Sequence, residues 1–103
     1  MLNIAVCDDE AVEIEYLVSL VQQWAKVNKK SVNILRFGSA EEFLFKYEDD
    51  KSIDILLLDI QMKEMDGIRL AQKIRETDEN IQIVFITGFP DYISRGRLLR
   101  SWR

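Results

Sequence analysis

The stretch Ile53–Gly67, IDILLLDIQMKEMDG, limits this chain more than any other. Ile53 and Ile55–Leu58 form a short apolar run that ends on Asp59. A run this short, bounded by charge, fits a strand covered on both faces, as in a parallel sheet. Asp59 then stands at the carboxyl end of a central strand, where open α/β sheets place their chemistry. A polar loop ending in Gly67 follows, and a helical pattern restarts at Ile68, with Leu70, Ala71 and Ile74 as its apolar face to about Glu76.

The flanking sequence repeats this alternation. Leu2–Cys7 is an apolar run ending at Asp8-Asp9-Glu10. From Ala11 to about Val27, Ile14, Leu17, Val18, Val21, Trp24 and Ala25 recur at helical spacing. Val32–Phe37 reads as a strand. Ser39 and Glu42 then form a capping-box pattern before a short helix buried through Phe43, Leu44 and Tyr47. Ile81–Ile86 is a fourth apolar strand, ending at Thr87-Gly88, and Phe89-Pro90 begins another turn or helix. The order βαβαβαβ predicts one α/β domain, a doubly wound parallel sheet with right-handed crossovers.

Composition removes several classes of function. The chain of 103 residues has no histidine, which excludes histidine triads and histidine metal sites. One cysteine, Cys7, excludes an internal disulfide and points to a cytoplasmic setting; it reads as a buried hydrophobe. No apolar run reaches the length of a membrane span, so no membrane partner is expected. Net charge is −4, against direct nucleic-acid binding. Four arginines, Arg95, Arg97, Arg100 and Arg103, follow the last acid, Asp91; setting them aside takes the charge from −4 to −8. We therefore divide the chain at residue 95, with 96–103 as an atypical basic tail.

With strand order 2-1-3-4, strands one and three are neighbours at the topological switch point, and Asp8, Asp9 and Asp59 share one crevice. Carboxylates that close repel unless a cation joins them. Oxygen donors alone suit a hard cation, Mg²⁺ in preference to a Ca²⁺ cage. A carboxylate beside Mg²⁺ is a candidate nucleophile toward a phosphoryl group, with the Thr87 hydroxyl as a hydrogen-bond donor to its oxygens. Each feature has a plainer explanation when taken singly: helix capping for the acidic pair, a solvated strand end for Asp59, a turn for Thr87. The set together is far rarer than its parts.

The segments AVCDDE, LLLDIQMKEMDG and VFITGFPDY together resemble a response-regulator receiver domain of the type linked to LytTR DNA-binding domains, over about residues 1–95. The resemblance implies a flavodoxin-like sheet and Mg²⁺-dependent phosphorylation by a partner histidine kinase. It implies Asp59 as phosphoacceptor and Thr87 as the responding hydroxyl. Asp8, Asp9, Asp59 and the Gln61 backbone carbonyl would hold Mg²⁺, and Asp66-Gly67 would make the tight turn before helix three. Lys63 stands where many receivers have proline. No lysine follows Lys73, so the family's phosphate-binding lysine has no counterpart. A fifth strand and fifth helix are expected to be missing or replaced by the short tail. Strand four would then be an open apolar edge, and the chain would self-associate. Two other functions stay in view: an interaction module that is not phosphorylated, and a Mg²⁺-dependent phosphohydrolase. Against the latter, the Asp59-Ile60-Gln61 loop has no second acid two residues on. The chain is expected to be a signalling module without its DNA-binding output domain, and not an enzyme.

Overall fold

The computed structural model describes residues 1–87 and 98–102, and for Thr87 and 98–102 it is the backbone that is described. Five strands form one sheet: β1 (Leu2–Cys7), β2 (Val32–Phe37), β3 (Ile55–Asp59), β4 (Gln82–Thr87) and β5 (Leu98–Trp102). Their order is β2-β1-β3-β4-β5, and the first four are parallel. Among the described residues, three helices link the first four: α1 (Ala11–Val27), α2 (Ala40–Asp49) and α3 (Gly67–Arg75). The fold is a flavodoxin-like α/β sheet with the expected order 2-1-3-4 at its centre. The expected turn at Phe89-Pro90 lies outside the described residues.

The tail departs from expectation. Leu98–Trp102 pairs antiparallel with β4, from Ile83 opposite Trp102 to Thr87 opposite Leu98. Strand β4 is therefore hydrogen-bonded on both sides and is not the open edge expected from the sequence. Five residues suffice for a strand. The apolar β4 offers unpaired backbone groups, and satisfying them outweighs the tail's lack of an obvious strand pattern.

Strand alternation divides the core between two faces. Ala5, Cys7, Leu56, Leu58, Ile83 and Phe85 point toward α2 and α3 and pack on Phe43, Tyr47, Leu70 and Ile74. The opposite face holds a smaller cluster, Val6 and Ile86 against Ile14, Leu17 and Val18 of α1. Capping sets two helix starts. The Ser39 hydroxyl accepts a bond from Glu42 N at 3.1 Å, and the Glu42 carboxylate accepts one from Gly38 N at 3.2 Å. The Asp66 carboxylate accepts from Arg69 N at 2.8 Å and starts α3.

Candidate functional site

Parallel register brings the site together. Cys7 lies opposite Leu58 and Asp59 lies opposite Ile86, so the chain leaves β1, β3 and β4 at one end of the sheet. Asp8, Asp9 and Asp59 each offer a carboxylate oxygen there, all within 4.8 Å of one another. Asp8 is fully buried, Asp59 nearly so, and Asp9 is half-buried.

Backbone donors hold each acid. The Asp8 carboxylate accepts from Glu10 N at 3.0 Å, and that of Asp59 accepts from Gln61 N at 3.3 Å. Asp9 accepts from Lys63 N at 3.1 Å, across to the loop after β3. Residue Glu10 occupies the N-cap of α1 and makes no side-chain cap bond. These acids thus bind their own turn and the neighbouring loop, and the simple capping reading does not describe them.

The Lys63 bond was not legible in the sequence. Lysine in place of proline looked like a mild change, yet proline has no N–H and could not make this contact. Gly67 has a second unexpected role. Its φ is not positive, so no left-handed turn requires glycine here. A Cβ at this position would instead lie 2.2 Å from the Asp59 carbonyl oxygen. Glycine lets the start of α3 touch the backbone of the site, and Gly67 N donates to Ile60 O at 2.9 Å to close the loop.

The donor set fits a hard divalent cation. Three carboxylates supply oxygen alone, and the neighbouring thiol does not compete. Cys7 is buried, with its Sγ 3.4 Å from Ser39 O and 3.8 Å from Met62 Sδ. Burial, then the carboxylates around it, Asp8 foremost, push its pKa up and keep the thiol protonated. Of the remaining expected site residues, Gln61 follows the strand end and Thr87 is the last residue of β4. The Thr87 side chain lies outside the described part of that residue.

Comparison with known proteins agrees with this arrangement. The family model for the response regulator receiver domain matches residues 4–101. Accessory gene regulator protein A of Staphylococcus epidermidis is 31% identical over 89 residues, 84% of this chain and 37% of that protein. Sensory transduction protein LytR of Streptococcus mutans is 29% identical over 92 residues, 88% of this chain and 36% of that protein. Among solved structures, the response regulator TrrA of Thermotoga maritima, in complex with Mg²⁺ and BeF, has a TM-score of 0.75 at 29% identity. That match covers 91% of this chain and 76% of the TrrA chain. The chain belongs to the response regulator receiver family. It spans little more than a third of the length of the curated relatives described here. No helix among the described residues is long and apolar enough to cross a membrane.

Proposed function

We propose that the chain is a phosphoacceptor module, with Asp59 taking a phosphoryl group from a partner histidine kinase in the cytoplasm. The observation that carries this reading is the convergence of Asp8, Asp9 and Asp59 at one end of the sheet. A carboxylate oxygen of Asp59 forms the new bond to phosphorus as the donor's bond to phosphorus breaks. The donor leaves with the bonding electron pair. Asp8, Asp9, Asp59 and the Gln61 carbonyl would hold Mg²⁺, which supplies charge neutralisation for the phosphoryl oxygens. The chain's own part is to hold the acids still: Glu10 N, Gln61 N and Lys63 N each fix one carboxylate before any ligand arrives. The Thr87 hydroxyl would donate a hydrogen bond to a phosphoryl oxygen.

The reaction is stoichiometric labelling and not turnover, because Gln61 offers no acid where a phosphohydrolase would need one. Direct nucleic-acid contact is not part of the function of this net-acidic chain. Intact-mass measurement after incubation with Mg²⁺ and a small phosphodonor tests the proposal. One added phosphoryl group is expected, absent in Asp59→Asn. Labelling that survives in Asp59→Asn refutes the assignment. An interaction module without phosphorylation is the alternative outcome of this test. An unlabelled parent protein that binds the kinase would establish it.

A further inference from the structure

Among the described residues, two that are not glycine have left-handed backbone, Lys29 at φ 54° and Glu64 at φ 63°. L side chains avoid this region, because Cβ crowds the neighbouring carbonyl oxygen. Helix termination accounts for the first. Lys29 follows the end of α1, where Lys30 N donates to Ala25 O at 2.8 Å and Lys29 N to Lys26 O at 3.3 Å. That pair of bonds is a common left-handed helix stop. Glu64 has no such account, since it lies between β3 and α3 where no helix ends. Its side chain is exposed, so packing does not hold it there. Backbone of this kind persists only where its surroundings determine it, and it gathers at functional sites.

The surroundings here are fixed on both sides. Met62 and Met65 pack on the core beneath the loop, and the Cys7 thiol lies 3.8 Å from Met62 Sδ. Gly67 N bonds Ile60 O at 2.9 Å and closes the loop at its base. Between the two methionines the chain leaves the core and returns within two residues, Lys63 and Glu64, both exposed. The same turn carries the Lys63 N–H that bonds Asp9 Oδ2 at 3.1 Å. With Met65 anchored, the torsion at Glu64 determines where Lys63 lies.

We propose that Glu64 is a positioning residue of the acidic site: its left-handed backbone brings the Lys63 N–H onto Asp9, and so sets how well the crevice receives a cation. The second half of this statement rests on the reading of Asp9 as a Mg²⁺ ligand. Because the position acts through its backbone, residue types rank there by tolerance of the left-handed region and not by charge. Glycine adopts it freely, asparagine more readily than glutamate, and a β-branched residue least. A role for the Glu64 carboxylate would give another order, with glycine, asparagine and valine all losing it equally.

The test compares Glu64→Gly, Glu64→Asn and Glu64→Val with the parent. Amide hydrogen exchange of Lys63, followed by NMR in metal-free protein, reports on the bond to Asp9. Calorimetric titration with Mg²⁺ reports on the crevice. Glu64→Gly and Glu64→Asn should keep or raise both the Lys63 protection and the Mg²⁺ affinity. Glu64→Val should lower each by about tenfold, the scale of one left-handed penalty. Lys63→Pro removes the donor, so adding Glu64→Val to it should weaken Mg²⁺ binding no further. Circular dichroism checks that each variant is folded. Equal loss in all three variants overturns the proposal in favour of the carboxylate. A lower melting temperature in Glu64→Val with both readings unchanged leaves only a structural turn, and overturns it too. Where Glu64→Val does not fold, the other two variants decide: retained protection supports the proposal, and lost protection in Glu64→Gly overturns it. A parent that binds no Mg²⁺ overturns the cation reading, and the Lys63 amide then decides the positioning of Asp9 by itself.

Discussion

Replacing Gly67 by alanine should damage both the fold and the site. The added Cβ would meet the Asp59 carbonyl oxygen at 2.2 Å, with Asp59 C and Ile60 Cα both at 3.0 Å. All three are backbone atoms, so no flexible side chain can give way. Ordinary contact begins near 3.4 Å, and the start of α3 or the end of β3 must shift by roughly 1 Å. Overpacking of this kind costs about 1–3 kcal/mol. Alanine is the better helix former by at most about 1 kcal/mol, an advantage that counts less at the first helical residue. The expected net loss is about 1–2 kcal/mol, or a fall in melting temperature of roughly 5–15 °C for a domain of this size. Misplacing the Asp59 backbone by such a distance should also slow phosphodonor labelling, by up to about a hundredfold. Thermal denaturation followed by circular dichroism gives the first number, and time-resolved intact mass gives the second. A Gly67→Ala protein that melts at or above the parent temperature, and labels at the parent rate, would refute the close-approach argument.

Other perturbations give sharper local readings. Mg²⁺ at about ten times its dissociation constant should stabilise the parent by about 1.4 kcal/mol, and Asp9→Asn should remove most of the accompanying rise in melting temperature. Lys63→Pro should cost about 1 kcal/mol and shrink the Mg²⁺-dependent rise, whereas Lys63→Ala, which keeps the N–H to Asp9, should do neither. The Tyr47 hydroxyl donates to Asp78 and, with further bonds from Asn80 N and Ile81 N, holds that carboxyl below its usual 3.8. A folded pKa below the unfolded one adds stability above about pH 4 that is lost as pH falls through the folded value. Urea midpoints between about pH 2 and 7 should therefore fall less steeply in Tyr47→Phe than in the parent.

The reach of the sequence differed from element to element. The strand Ile55–Asp59 was plain because a buried parallel strand carries an unbroken apolar run, and its terminal acid stands out against it. Helix α1 was plain for the same kind of reason, a stripe long enough to fix its period. Its outer boundary was harder to see: Trp24 fell at core spacing, and the structure leaves it 44% exposed. Strand β5 was hidden because Leu98–Trp102 carries no alternation, and its pairing is decided by the needs of β4. The acids of the site were legible as strand ends. The donors that orient them were not, because Glu10, Gln61 and Lys63 act through backbone N–H groups that every non-proline residue owns.

That last point bears on how the site works. The described donors to its carboxylates are backbone amides from the turn after β1 and the loop after β3. Amides are fixed dipoles, so they orient a carboxylate without neutralising it. These amides hold the geometry of three carboxylates whose oxygens lie within 4.8 Å of one another. A cation bound as proposed above would find these oxygen donors in place without rebuilding the loops. Asp9 is the adjustable member: it is half-buried and bonded to the opposite loop, whereas Asp8 and Asp59 are enclosed by the core. Movement of the loop carrying Lys63 would thus be felt first at Asp9, and through it at the cation. On the proposed function, this would couple the loop after β3 to Asp59 as phosphoacceptor.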